Sequence, residues 1–221
     1  WEPEKATHIG VMPRQGSVAD MRWFVGDACY VFHPMNAHSD GNKIICDVCE
    51  YPQAPLFPLA DGSPGDPKQA LAKLVRWTFD LDATTDDFSR EQLHDVVCEF
   101  PRLDERRSGL TYRYGYFSAD SKPASKVGGF NQIARVDHHT GSIESYDVGI
   151  GCAVSEPIFV PKTESAAEGD GYVLAYVFDA NRQASSLLIL DAQNVGAGPL
   201  ATAYLDHRIP FGFHGNWRQA Q

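Results

Sequence analysis

Two histidines in this chain each follow a short apolar run that is typical of a β-strand. His33 comes after the aromatic run 30–32 and before Pro34, and His214 lies in the glycine-containing segment 208–217. Because proline cannot continue a central ladder, we expect the strand to stop with the imidazole of His33 at its rim. Imidazole is the commonest metal ligand, so this placement is typical of part of a metal site. A lone histidine in apolar company is nevertheless more often a satisfied core residue.

Two glutamates, Glu99 and Glu156, also lie in apolar β-type surroundings. An unpaired carboxylate would be costly there, so each of them needs a partner. One alternative is a metal-bound imidazole, which commonly donates its second N–H to a carboxylate. The other is a set of backbone N–H groups or an arginine such as Arg102. The residues alone leave both alternatives open.

The remaining six histidines have neighbours that favour solvated or structural roles. A solvated hairpin tip is predicted for His138 and His139, and a polar surface for His94. The other three are predicted in strands or in a turn: His8, His207 and His38.

Cys46 and Cys49 form a CxxC pair inside the predicted strand 43–51. A zinc or redox pair is typically found on a loop or helix start, with a second pair or a histidine nearby. Residues three apart on a strand point to opposite faces, so we interpret these two as ordinary strand cysteines.

About a dozen runs rich in Val, Ile, Tyr, Phe and Trp, bounded by turn residues, predict β-strands. They are residues 7–12, 22–25, 28–32, 43–50, 74–81, 96–100, 112–118, 132–137, 142–148, 157–161, 171–178, 185–191 and 201–207. Hairpin turns are indicated at 40–42, 137–141 and 179–182, and the one helical candidate, 66–74, is short enough to be a loop turn.

This pattern predicts an all-β fold. Consecutive hairpins suit a sandwich, a barrel or a propeller and exclude a doubly wound parallel sheet. A dozen strands equals about three four-stranded propeller blades, too few to close a ring. Because no repeat or composition shift divides residues 1–221, we interpret them as one architectural unit or part of one.

Composition excludes some classes of partner. With 19 basic and 29 acidic residues the net charge is −10, which disfavours binding to nucleic acid. No apolar run approaches the roughly 18 residues of a membrane span, so we expect a soluble protein without a transmembrane segment. Five cysteines in mostly apolar runs indicate reduced thiols and a cytoplasmic location. The first residue is Trp1, and we expect the natural chain to begin earlier.

Four segments resemble, in the same order, motifs of the carotenoid cleavage oxygenase family, in particular its lignostilbene (stilbene) dioxygenase branch. They are residues 32–37, 98–102, 155–161 and 210–215, and the resemblance extends along nearly the whole chain. It implies a seven-bladed β-propeller in which four axial histidines hold a non-haem ferrous ion, three of them backed by glutamates.

Carried over residue by residue, the resemblance implies that His33 and His214 are catalytic iron ligands. Glu99 would be oriented toward His33, and Glu156 toward His214. The family's other two ligand histidines have no match here. We therefore expect residues 1–221 to be the C-terminal portion of a single β-propeller catalytic domain, supplying its C-terminal blades.

The resemblance also implies an activity: an Fe(II)-dependent dioxygenase that cleaves the C=C bond of a stilbene-like, lignin-derived phenolic with O2 to give two aldehydes. The expected partners are O2 and a small hydrophobic conjugated substrate, and by family analogy a second copy in a homodimer. Activity is expected to need the preceding part of the protein. Two alternatives stay open, an apocarotenoid-cleaving oxygenase of the same family and a metal-free propeller binding module.

Overall fold

The computed structural model describes residues 1–120 and 129–219, and there the chain is nearly all β, which confirms the fold class predicted from sequence. Within these residues the strands are joined by loops and three-residue 3-10 helices. The predicted helical segment 66–74 holds one such turn, Pro67–Gln69, capped by the Asp66 carboxylate. The chain divides into two compact units, Trp1–Asp95 and Val96–Gln221.

The first unit is built from antiparallel strands in chain order. Its strands are β1 (Thr7–Val11), β2 (Arg22–Gly26), β3 (Tyr30–Asp40), β4 (Lys43–Tyr51) and β5 (Lys73–Asp80), and β6 (Ser89–Leu103) begins in it. The strands β1 and β2 pair with each other, and β4 pairs with β3 on one edge and with β5 on the other. A two-residue turn at Gly41 (φ +57°) closes the predicted hairpin between β3 and β4.

The core of this unit is an aromatic and aliphatic cluster on alternate positions of β2, β4 and β5. Phe24 and Phe79 meet edge to face with ring centroids 5.1 Å apart, and Trp77 lies against Phe79 at 6.3 Å. Val48 and Val75 complete the buried set. Burying each of these side chains contributes about 1.5–3 kcal/mol, which stabilises the packing of β2, β4 and β5.

The second unit contains the end of β6 and eight further strands. These are β7 (Tyr114–Asp120), β8 (Gln132–Asp137), β9 (Ser142–Asp147), β10 (Cys152–Val154), β11 (Ile158–Pro161), β12 (Gly171–Asp179), β13 (Ala184–Asp191) and β14 (Pro199–Tyr204). From β6 to β9 each strand pairs antiparallel with the next. The strands β13 and β14 follow β12 in the same way, while β10 and β11 share the other edge of β12.

The core of the second unit lies around Tyr116 and Phe159, whose rings stack with centroids 5.5 Å apart. Ile133, Val173 and Leu190 are fully buried beside them. The Tyr116 hydroxyl donates to the carbonyl of Ala192 at 3.2 Å. A buried tyrosine thus keeps a hydrogen-bond partner in an otherwise apolar core.

Two strands extend well beyond their predicted ends. The strand of His33 does not stop at Pro34, because β3 continues to Asp40 and absorbs the proline in bulges on either side of it. His38 therefore lies in a strand and not in a turn. The strand predicted at 96–100 begins at Ser89, so the polar stretch around His94 is also strand, with His94 half-buried.

Two further differences from the sequence prediction concern β10 and His207. The short strand β10 was not predicted, and His207, which was predicted in a strand, lies beyond the end of β14. Among the described residues, no helix has the length and apolar character needed to cross a membrane.

Candidate metal centre

His33 lies inside β3 at its bulged region. Its imidazole is half-buried, and its centroid is 6.1 Å from the ring of Phe32. The ladder to β4 is regular again from Asn36 onward. Both chain directions from His33 are therefore held by backbone hydrogen bonds in the first unit.

Glu99 lies in β6 at a second bulge. Glu99 pairs with Ser118 and Arg102 pairs with Tyr116, so two residues of β6 face one residue of β7. The first of the two, Phe100, has a φ of +54°, which is rare for a bulky side chain. The carboxylate of Glu99 is buried and accepts the Phe100 N–H at 2.6 Å. Its predicted orientation toward His33 stays a prediction.

Glu156 lies between β10 and β11, where the edge of β12 is also interrupted. Residues 155–157 face only Ala175 and Tyr176, because Val154 pairs with Val177 and Ile158 with Leu174. Ser155 holds this bulge: its N–H donates to the Tyr176 carbonyl at 2.9 Å, and its hydroxyl accepts the Tyr176 N–H at 3.0 Å. The Glu156 side chain is 4% exposed.

His214 lies in a segment without regular secondary structure, residues 205–219, which we call the C-terminal tail. The tail is largely exposed, and the His214 side chain is 54% exposed. Its Nδ1 donates to Glu156 Oε1 at 3.1 Å, and the Gly215 N–H donates to Glu156 Oε2 at 2.9 Å. The Glu156 carboxylate thus accepts hydrogen bonds from both the imidazole of His214 and the backbone of the next residue.

Arg102 completes this arrangement. Its Nη1 donates to Glu156 Oε2 at 3.0 Å and to the Gly215 carbonyl at 3.0 Å, and its Nη2 bonds the exposed Glu105. The sequence left two alternatives open for the partner of Glu156: an imidazole, or an arginine with backbone N–H groups. The structure contains both. The carboxylate accepts three donors.

The donors present fit a ferrous ion. A carboxylate acceptor at Nδ1 fixes the imidazole tautomer, an arrangement that metal-bound histidines commonly show. Neutral imidazole is a suitable ligand for iron. Within the described parts of the chain, no group of three or more His, Cys, Asp or Glu residues that could hold a metal is found. The roles of His33 and His214 as ligands, and of Glu99 and Glu156 behind them, stay predictions.

The CxxC pair lies on β4, as predicted. Cys46 lines an apolar cavity of about 350 Å³ with Trp77 and Phe79. Burial raises the pKa of the Cys46 thiol to about 12, which disfavours the reactive thiolate. The strand position is confirmed, and the interpretation as ordinary strand cysteines stays a prediction.

Sequence reasoning missed Phe100, whose ring meets that of His214 edge to face at 6.3 Å, and weighed Arg102 only as an alternative partner. A usable signal existed. A proline lies close after each predicted site residue in a bulged strand: Pro34 after His33, Pro101 after Glu99 and Pro157 after Glu156. Because proline removes a ladder donor, it marks bulges that re-aim neighbouring side chains.

Comparison with known proteins assigns the class. The model of the family described as retinal pigment epithelial membrane protein (RPE65) matches residues 1–219. The chain therefore belongs to this family, which includes the carotenoid and stilbene cleavage oxygenases. Oxygenases of this family are of the non-haem iron type.

Two individual relatives show which members of the family this chain resembles. The chain is 38% identical to an isoeugenol monooxygenase of Pseudomonas putida, over 99% of this chain and 47% of that protein. It is 39% identical to lignostilbene-alpha,beta-dioxygenase isozyme III of Sphingomonas paucimobilis, over 96% and 46% respectively. The chain spans about half the length of the curated relatives it matches.

A solved structure agrees with this. The crystal structure of a lignostilbene dioxygenase from Pseudomonas brassicacearum superposes with a TM-score of 0.94 and 31% identity, over the whole of this chain and 48% of that one. The prediction that this chain is part of a β-propeller is thereby confirmed.

Proposed function

We propose that this chain is part of an iron(II)-dependent dioxygenase that cleaves the C=C bond of a stilbene-like, lignin-derived phenolic. One molecule of O2 would add one oxygen atom to each former alkene carbon, so that two aldehydes form and the atoms balance. We also propose that His33 and His214 are two of the iron ligands.

The observation that carries this proposal is the hydrogen bond from His214 Nδ1 to the buried carboxylate of Glu156, 58 residues earlier in the chain. A carboxylate is expensive to bury unless it is paired and hydrogen-bonded. Here one of its three donors is an imidazole on an exposed tail, and a carboxylate behind an imidazole is common at metal-bound histidines.

The roles of the side chains follow from this geometry. When bound, ferrous iron would supply the site at which O2 is activated. Glu156 keeps the proton on Nδ1 of His214 and fixes the direction of the ring. Glu99, buried on β6, would do the same for His33. Both glutamates act through histidines and exchange no proton with substrate, so the reaction needs no general acid or base from this chain.

The test is an assay of the protein at its natural length with a 4-hydroxystilbene. We expect two aldehyde products, each carrying one labelled oxygen when 18O2 is supplied, and no products without O2 or after iron removal by a chelator. Restoring Fe(II) should restore activity. Cleavage that continues under anaerobic conditions would contradict the proposal.

A second substrate is favoured by one observation, the 38% identity to an isoeugenol monooxygenase. Isoeugenol and hydroxystilbenes share a phenol conjugated to an alkene, and they differ in whether a methyl group or a second ring ends the alkene. Comparing kcat/KM for the two substrates, with an apocarotenoid as the third, decides the substrate class. A preference for the apocarotenoid would contradict a phenolic substrate.

The metal-free alternative is tested by elemental analysis of the purified protein. One iron per polypeptide is expected, and its absence after reconstitution with Fe(II) would favour a binding module. The cytoplasmic location stays a prediction from the cysteine content, and the homodimer stays a prediction that sedimentation equilibrium checks.

A further inference from the structure

The C-terminal tail that carries His214 is held by backbone hydrogen bonds at its start and by side-chain contacts further along. Upstream in the tail, Leu205 and Ile209 hydrogen-bond to Ser185, and the Arg208 guanidinium lies 4.9 Å from the centre of the Phe178 ring. Around His214 itself, Glu156 accepts hydrogen bonds from the imidazole and from the Gly215 N–H, and Arg102 donates to the Gly215 carbonyl. Both side chains therefore contribute to the placement of this imidazole.

Arg102 links the Glu156 carboxylate to the backbone of the tail. Its guanidinium is 15% exposed, and one of its nitrogens, Nη1, donates both to Glu156 Oε2 and to the carbonyl of Gly215. Glu156 Oε2 in turn accepts the N–H of Gly215. Arg102 and Glu156 thus hold both sides of the Gly215 residue, its carbonyl and its N–H, directly after His214.

The bulge in β6 explains why Arg102 can make these contacts. Two residues of β6, Phe100 and Pro101, face one residue of β7, and the ladder resumes at Arg102. The same bulge places the ring of Phe100 edge-on to His214. The bulge in β6 therefore accounts for two contacts to the C-terminal tail, one from Phe100 and one from Arg102.

We infer that Arg102 is a positioning residue for His214, acting through Glu156 and through the backbone of Gly215. This inference rests on the proposed function, in which His214 is an iron ligand. Arg102 keeps the Glu156 carboxylate aimed at the tail, so that Nδ1 of His214 stays bonded and the ring keeps a single direction. Without Arg102, Glu156 loses one of its three donors. The carbonyl of Gly215 also loses the hydrogen bond that it accepts from Arg102.

The main variant is Arg102→Gln, which removes the charge and shortens the reach, in the protein at its natural length. Two readouts need no metal. Amide exchange at Gly215 in metal-free protein should quicken about tenfold or more, and the 15N signal of His214 Nδ1–H should weaken through exchange with water. With Fe(II) added, the dissociation constant should rise about tenfold, the lower end for groups that orient metal ligands.

Two matched variants make the result specific. Arg106→Gln removes a comparable arginine, which bonds the buried Asp104 at 2.8 Å and 2.6 Å and does not contact Glu156. It should leave both His214 readouts and the iron dissociation constant unchanged. Arg102→Lys keeps a charged donor and should restore part of what Arg102→Gln loses.

The outcomes separate this inference from the proposed function. If wild-type protein binds Fe(II) and Arg102→Gln leaves the Gly215 exchange, the His214 signal and the iron affinity as they were, the positioning role is wrong. If wild-type protein binds no iron while Arg102→Gln still loosens the tail, the proposed function fails and the anchoring role stands.

A measurement on the wild type covers the case in which Arg102→Gln does not fold. In 15N-arginine-labelled protein, the Nη groups of Arg102 should give separate, slowly exchanging signals, because rotation of the guanidinium is blocked by its carboxylate and carbonyl partners. Averaged signals that exchange as fast as those of the exposed Arg14 would contradict the inference.

Discussion

His33 and His214 are placed by opposite kinds of local structure. His33 belongs to an eleven-residue strand whose ladder to β4 continues on both sides of its bulges. His214 lies in the C-terminal tail, outside any ladder, and is fixed through Glu156 and Arg102. Backbone pairing thus holds the chain on both sides of His33, whereas side-chain hydrogen bonds contribute to the placement of His214. A single side-chain substitution should therefore disturb the backbone at His214 more selectively than the backbone at His33.

The largest effect on the first unit should come from Arg76→Gln. Arg76 on β5 makes two 2.8 Å hydrogen bonds to Asp47 on β4, whose side chain is fully buried. The variant removes the charged partner of this buried carboxylate and should lower the free energy of unfolding by about 3 kcal/mol, measured by urea titration.

The same variant sharpens the comparison between the two histidines. Amide exchange in β3 near His33 should quicken, because β3 pairs with the strand of Asp47, while exchange at Gly215 should stay unchanged. The double variant Asp47→Asn/Arg76→Gln should recover part of the lost stability. A loss below about 1 kcal/mol in the single variant would contradict the pairing argument.

A smaller effect is expected at Phe100, which has a left-handed backbone. Glycine in a strand is ordinarily less stable than alanine, but a left-handed conformation costs an L-residue roughly 1–2 kcal/mol. Phe100→Gly should therefore be more stable than Phe100→Ala by about 1 kcal/mol in thermal or urea unfolding. At Phe117, on the facing strand β7, the same pair should show the usual order, alanine above glycine. If alanine were more stable than glycine at both positions, the backbone at Phe100 would not be strained.

The smallest effect, and one confined to low pH, should come from Arg113→Gln in the second unit. The Arg113 guanidinium donates twice to Asp137 and holds the pKa of that carboxyl well below its usual range. A lowered pKa in the folded state gives stability that is present above the unfolded value near 3.8 and is lost as the pH falls below it. The difference in unfolding free energy between wild type and variant should thus be constant from pH 7 to 5 and shrink below pH 4.

Neither Arg113 nor Asp137 takes part in the hydrogen bonds described around His214, so the His214 Nδ1–H signal should not respond to Arg113→Gln. A difference that stays constant down to pH 3 would show that Asp137 does not depend on Arg113. A changed His214 signal would show that the tail responds to general loss of stability, which would weaken the comparison.

The strands and hairpins were largely predictable, because apolar runs and turn residues are local signals. The ends of β3 and β6 were not. Pro34 and the polar stretch around His94 resemble strand terminators locally, whereas pairing with neighbouring strands carries the ladder through them. Tertiary pairing overrides such local signals.

The candidate site was predictable only in part. Family resemblance suggested that Glu156 points toward His214, and the structure has a hydrogen bond between them. The share of Arg102 was not predictable, because sequence spacing does not reveal which way a bulge aims a side chain. Periodicity likewise gives no sign that Phe100 adopts a left-handed backbone.

The measurement that tests the central claim most directly is the iron content of histidine variants in the protein at its natural length. Wild type should bind one Fe(II) per polypeptide, and His33→Ala and His214→Ala should each lose at least most of it. His38→Ala, on the same strand as His33, and His207→Ala, in the same tail as His214, should keep full iron content and serve as controls. Full iron content in folded His33→Ala and His214→Ala would contradict the account.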